Sequence, residues 1–420
     1  MYPGAARSVF HATMADAMDD LILRGVENDD ELLQANALMA KAHTRSFFDS
    51  LHWMETCGAG YPGFRREHTR IALWKGELAG ALRLTTHTIR IGEARLKTGG
   101  LSWIATDVRH RHKGIARELM VHSLQFLKTR NFHVAMLFGI PNFYHRFGFA
   151  TTLAEYSTKV TVEEALVAPS GTARVRPGKP GDIQAIQKIH YANDADVACS
   201  LVRTGAHITN TWERWKPLRV LTDHAGKVIA YFLPQRLEDE ILVEDAGVSN
   251  SALCGAIVRA CGELAREEYL AKIRFSGPPV CPMIQYLHRY KSTHEMRVTR
   301  DQGGMMAFVN LEETLESMLP EWESLLLQSA AKNLQAEVTL IVERTPFRIR
   351  ANRGAIAIDS SSGSNKVSLS FTDLMHLITG YRYLEDILAE HRRFLTPPAR
   401  ELLAALFPKR TPYVWNVDRF

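Results

Sequence analysis

Residues 111–116 read Arg-His-Lys-Gly-Ile-Ala, where a strand-like run ends and an amphipathic stretch begins. At a helix N-terminus, successive main-chain N–H groups point outward at the positive end of the helix dipole. Arg111 and Lys113 can pair with phosphate oxygens, Gly114 lets the backbone come close, and Ala116 keeps the first turn clear. Such a junction could cradle a pyrophosphate. The same six residues also read as an ordinary solvated loop-to-helix junction with a basic edge, and the hexapeptide alone does not choose.

A second group lies nearby in sequence. Tyr144, within "NFYHRFGF", carries a phenol, which holds its proton to pH ~10 and can act as an acid. It could equally be a buried tyrosine packed beside Phe143 and Phe147. Phe47, Phe48, Trp53, Tyr61 and Phe64 form an aromatic-rich region, with Asp49 and Glu55 able to attract a cation. Core packing with a solvated acidic edge is the alternative there. His110, His112, His122, His133 and His145 show no HxxxH or HExxH pairing, so no metal site is expected. Ser249 and Ser251 lack a nucleophile-elbow pattern.

The elements that must position these groups follow from hydrophobic periodicity. Residues 21–27 read as a strand. Asn28 with Glu31 three residues on resembles a capping box for a helix carrying Leu32, Leu33, Ala35, Leu38, Met39 and Ala42. Strand-like runs "HTRIALWKG", "ELAGALRLTT" and "GGLSWIATD" follow. Then come a helix over 115–130, the strand "HVAMLFG" and a short helix after Pro141. The middle third repeats this grammar weakly, with "KIRFSG" and "CPMIQYLHRY" echoing "VAMLFG" and "PNFYHRF". Its Asp245-Ala-Gly-Val-Ser stands where the basic glycine loop stood, so the second copy should not hold the same anion. The last ~120 residues predict helices and an antiparallel sheet, an α+β unit. Leu374, Met375, Leu377, Ile378, Leu384 and Leu388 there give an apolar stripe.

At 420 residues, about two or three domains are expected. A hydrophobic share of 46% and a charged share of 23% describe a globular chain, not a disordered one. A net charge of +5 suits an anionic ligand and falls short of a nucleic-acid binder's dense basic stripe. Five cysteines lack metal-type spacing; Cys254 and Cys261 share one helical face. With no signal-type N-terminus and no ~20-residue apolar run, a cytoplasmic protein without a membrane span is expected.

Taken together, "SWIATDVRHRHKGIARELM", "NFYHRFGFA" and a C-terminal aromatic, Phe420, resemble the Eis (enhanced intracellular survival) family of GNAT acyltransferases. That resemblance implies an α/β and α+β multidomain chain in three parts. A catalytic GNAT domain would span 1–165 and a degenerate GNAT-like domain 166–300. A sterol-carrier-protein-like domain over 301–420 would supply the terminal carboxylate. It implies an acetyl-CoA-dependent N-acetyltransferase with a small-molecule amine acceptor, of aminoglycoside, polyamine or lysine type. By position, Trp103, Ile104, Ala105 and Thr106 would flank the pantetheine and acetyl group. Arg111, His112, Lys113, Gly114, Ile115 and Ala116 would hold the pyrophosphate. Tyr144 would be the general acid and the Phe420 carboxylate the proton acceptor. Phe47, Phe48, Asp49, Trp53 and Glu55 would face the acceptor. Arg419 next to the terminus does not suit a polycation. Some members are hexamers, which implies a homo-oligomer; no nucleic acid is implied. A lipid or small-molecule carrier and a CoA-sensing regulator are the readings of other class.

Overall fold

The computed structural model describes residues 20–43, 46–55, 63–391 and 395–420. They form two compact units, one of Met1–Thr86 with Gly99–Arg130, the other of His87–Thr98 with Asn131–Phe420.

In the first unit, β1 (Leu21–Gly25) pairs antiparallel with β2 (Thr69–Trp74), and β2 with β3 (Glu77–Ile91). β4 (Ala94–Thr106) also carries residues of this unit. Asn28 caps the helix Asp29–His43 as expected, its Oδ1 accepting from the Glu31 N–H at 2.9 Å. The reciprocal half of the box differs. Glu31 reaches back to the N–H of Glu27 and pairs with Arg24, whose hydrogen bonds hold its carboxyl down to about 2. Strand alternation then sorts the faces of β3. Ala81 packs with Ala35 and Met39 of that helix. Gly80 points the other way, where a Cβ would lie 3.1 Å from Ile115 of the helix Ile115–Thr129.

The second unit continues with β5 (Val134–Gly139), β6 (Ala150–Leu153), β7 (Glu155–Thr161), β8 (Arg174–Pro177), β9 (Ser200–Leu201) and β10 (Arg219–Thr222). β11 (Val228–Arg236), β12 (Glu240–Val248), β13 (Lys272–Ser276), β14 (Ser292–Arg297) and β15 (Gly303–Phe308) follow. One sheet runs in the order β14-β7-β13-β12-β11-β10-β8, with β12 and β13 parallel. Within this unit, strand order in space departs from chain order. β15 lies between β5 and β6, while β7 lies between β13 and β14. Sheet membership therefore divides the chain differently from the sequence reading. Residues 155–161, assigned to the first domain, pair in the second sheet. Residues 303–308, assigned to the third, pair with β5 and β6. The cause is physical: a strand's hydrophobic pattern sets which face is buried and leaves its partner to long-range pairing.

The remaining strands, β16 (Gln335–Val342), β17 (Thr345–Asn352), β18 (Ala355–Asp359) and β19 (Lys366–Leu369), make an α+β region in the order β18-β17-β16-β19. β16 and β19 run parallel, so the sheet is mixed and not purely antiparallel. Leu374, Met375, Leu377, Ile378, Leu384 and Leu388 are all buried there, with Val338, Leu340 and Leu402 in the same core. That stripe closes a core.

Candidate active site

The anion loop lies wholly in the first unit. Asp107 accepts from the Arg109 N–H at 2.9 Å and opens the turn Val108–His110. His112 (φ 63°) and Gly114 (φ 80°) then take left-handed backbone, which turns the chain into the helix Ile115–Thr129. Gly114 is that helix's N-cap, and no side chain caps it. A Cβ built on Gly114 would meet nothing within 4 Å. The first N–H groups of a 15-residue helix are thus left to a ligand or water. Arg111, His112 and Lys113 are exposed around them, while Ile115 is buried and can contribute only through its backbone. These residues fit the diphosphate of a nucleotide. The buried His110 sits 3.3 Å from Lys113 Nζ.

On β4, Trp103 adopts φ 57°, rare for a bulky side chain inside a strand and a form of strain that clusters at functional sites. Its ring packs on Trp53 (centroids 5.4 Å) and meets the edge of His43 (5.7 Å). His43 Nε2 lies 2.6 Å from the Ile104 carbonyl oxygen, a contact the sequence reading missed. Ala105 is buried, and Ile104 and Thr106 are half-buried. Of the five proposed acceptor residues, Trp53 alone reaches Trp103. Phe47 lines a groove of about 530 Å³ with Leu38, Lys41, Glu77, Asp107 and Arg109. Phe48, Asp49 and Glu55 are exposed. Tyr61 and Cys57 lie outside the described residues.

The second unit holds the other two groups. Tyr144 is buried at the start of a short 3-10 helix, Tyr144–Phe147, three residues after the Pro141 at which the sequence reading started a short helix. Its ring packs edge-on against Phe143 (5.0 Å) and Phe149 (6.3 Å); Phe147 touches Phe143 instead. Gly139 at the end of β5 makes the room: a Cβ there would stand 2.4 Å from Tyr144 Cδ2. Burial raises the Tyr144 pKa, which keeps the phenol protonated at neutral pH.

Phe420 stacks on His87 (4.5 Å, 17°) and meets Phe138 edge-on at 5.9 Å. Burial pushes His87 down to about 3, with His207 adding to it, so the stacking ring is neutral. The segment leading to Phe420 is pinned residue by residue. The Tyr413 N–H donates to the Ala198 carbonyl, and Trp415 packs on His190 at 5.8 Å. Arg203 donates to both oxygens of the fully buried Asp418 (2.7–2.9 Å) and turns its other edge to Asp245 at 2.6 Å. Arg214 donates to the Arg419 carbonyl, and Arg419 pairs with Glu155 at 2.8 Å. Arg419, read from sequence as a basic group beside the terminus, is therefore spent on the fold. Arg203, Asp245 and Glu155 escaped the sequence reading because partners 42 to 264 residues apart leave no local signal.

Residues 26–152 match the family model described as an acetyltransferase (GNAT) domain. The chain carries a GNAT acetyltransferase domain. Several solved structures share the fold over nearly the whole chain. A GCN5-related N-acetyltransferase from Anabaena variabilis does so at TM-score 0.72 and 14% identity, over 95% of this chain and 100% of that one. One from Kribbella flavida does so at 0.71 and 14%, over 96% and 100%. Eis1 from Mycobacterium abscessus does so at 0.62 and 17%, over 95% and 100%. At such identities the likeness is one of fold. No curated protein matches the chain. The protein is thus an acyltransferase of GNAT type, whose donor class is acyl-CoA. The uncapped glycine loop and the strained Trp103 both fall inside its GNAT domain. Among the described residues, no helix is long and apolar enough to cross a membrane.

Proposed function

We propose that the protein transfers the acetyl group of acetyl-CoA directly to a primary amine, of aminoglycoside, polyamine or lysine type. The donor supplies an activated thioester. Main-chain N–H groups from Gly114 to Ala116 bind its diphosphate, with Arg111, His112 and Lys113 adding charge. The backbone of Trp103–Thr106 orients the pantetheine arm and acetyl group. Trp53, on Trp103, forms part of the acceptor wall, with Phe47, Phe48, Asp49 and Glu55 beside it. Tyr144, kept neutral by burial, gives its proton to the leaving thiolate. The main-chain carboxylate of Phe420 takes the proton that the amine sheds. At a reference pKa of ~3.5 that carboxylate is a weak base, so it holds the ammonium and relays the proton to water.

The observation that carries this reading is the uncapped, sterically open Gly114 inside a matched GNAT domain. A homo-oligomer, a sterol-carrier-protein-like character for the α+β region and a cytoplasmic location belong to the same proposal, by resemblance. The test is free-thiol release from acetyl-CoA across aminoglycosides, polyamines and lysine peptides, with the Gly114→Val variant alongside. The expected result is turnover with at least one class and a KM for acetyl-CoA raised tenfold or more by the variant. No thiol release with any amine rejects the proposal.

A further inference from the structure

Arg83 is a buried cation with no counter-charge among the described residues. It sits on β3, 3% exposed, directly across from Thr69 of β2. Its Nη2 donates to the neutral Asn36 Oδ1 at 2.7 Å, and its guanidinium lies over the Phe64 ring at 4.9 Å. Its Nε meets no partner, nor does the buried hydroxyl of Thr69. Among the described residues no carboxylate pairs with it. Two other well-buried arginines have carboxylate partners, Arg90 with Asp194 and Arg203 with Asp245 and Asp418, while Arg70 donates to the Glu67 carbonyl and, like Arg83, has an unpartnered Nε.

Burying a guanidinium against an amide and a ring costs folding free energy that a counter-anion returns. Burial without an opposing carboxylate also lowers the Arg83 pKa to about 10. The face matters too. Arg83 shares the β3 face of Ala81, under the helix Asp29–His43, while Gly80 faces the helix Ile115–Thr129 that opens at Gly114. The diphosphate loop is therefore on the other side of the strand from this side chain.

We propose that Arg83 is the specificity residue for an anionic group on the acceptor, so that the acceptor is an amine that also bears a carboxylate. This rests on the acetyltransfer reading above and names its acceptor class. A planar carboxylate accepts from the parallel Nε–H and Nη2–H of a guanidinium, and in Arg83 the Nε–H has no partner while Nη2 is shared with Asn36.

The experiment compares lysine with lysinamide and β-alanine with β-alaninamide, measuring thiol release from acetyl-CoA by the full chain. The carboxylate member of at least one pair is expected to have a kcat/KM tenfold or more above its amide, chiefly through KM. Asn36→Asp sets a carboxylate against the guanidinium; it should raise Tm, bring that ratio close to one and leave kcat with the amides unchanged. Arg83→Met should also abolish the ratio. Should it fail to fold, Asn36→Asp decides alone. A wild-type ratio of one or less, or a ratio that survives in Asn36→Asp, overturns the proposal. Melting with the products N-acetyl-lysine and N-acetyl-lysinamide gives a readout free of turnover: the carboxylate should stabilise wild type and not Asn36→Asp. Absence of thiol release from every amine would reject acetyltransfer, whereas equal stabilisation by both products would reject the role of Arg83.

Discussion

Phe420 meets the ring of Phe138 edge-on at 5.9 Å, and the next residue of the same strand, Gly139, is the one that makes room for Tyr144. Two consecutive positions of β5 thus support the two groups proposed for proton transfer. Gly139→Ala would drive a methyl to 2.4 Å from Tyr144 Cδ2. Overpacking of this kind costs about 1–3 kcal/mol and displaces the ring. The expected outcome is a kcat reduced at least tenfold with the acetyl-CoA KM little changed, read by steady-state thiol release.

Tyr144→Phe keeps the contacts with Phe143 and Phe149 and removes only the hydroxyl. General acid catalysis of this kind is worth about 10²–10⁴ in rate, so kcat should fall within that range while Tm holds. Burial raises the phenol's pKa, so the acid stays loaded through neutral pH. Any alkaline loss of wild-type activity from this group should therefore begin only above its ordinary value of ~10, as a pH–rate profile will show.

Arg203 ties Asp418 to Asp245 with every charge buried. Removing one partner from such a cluster costs about 3–5 kcal/mol, because an uncompensated charge stays behind. Arg203→Met should therefore lower Tm and release the terminal segment. Assayed where circular dichroism shows the variant folded, it should lose kcat at least tenfold and keep its acetyl-CoA KM.

Acid should destabilise the protein before it titrates the carboxylates. Burial holds His68 near 4 and His87 near 3, so both stay neutral in the folded state. In the unfolded chain each takes a proton near pH ~6.5. The unfolded state binds more protons below that value, so stability falls as pH drops from about 6.5 towards 4 and is unaffected above it. Thermal melts at pH 7.5, 6 and 5 should show the decline, and His68→Gln should lessen it.

Much of this was legible in the chain itself. The alternation of "TRIALW" and "ELAGALRL" and the stripe from Ile115 to Leu127 are local, and local periodicity names an element correctly. Gly114 was legible for the same reason: a basic loop, a glycine and a helix start are adjacent in sequence. The strand order in space was not. "EYSTKVT" and "GGMMAF" read as strands, yet nothing within them says which sheet will accept them. The Arg203–Asp418 clamp was hidden for a like reason, since an arginine and an aspartate 215 residues apart look like solvated surface until the fold buries both. Arg83 was the least legible, because what marks it is a missing partner.

The central claim is that the Tyr144 phenol and the Phe420 carboxylate move the protons of one acetyl transfer. One alanine appended after Phe420 tests it most directly, since the extension moves the carboxylate and leaves Phe420, Arg419 and Asp418 in place. Single-turnover thiol release, with acetyl-CoA binding measured in parallel, should show transfer slowed at least a hundredfold at unchanged Kd. Transfer at the wild-type rate by the extended chain would contradict the account.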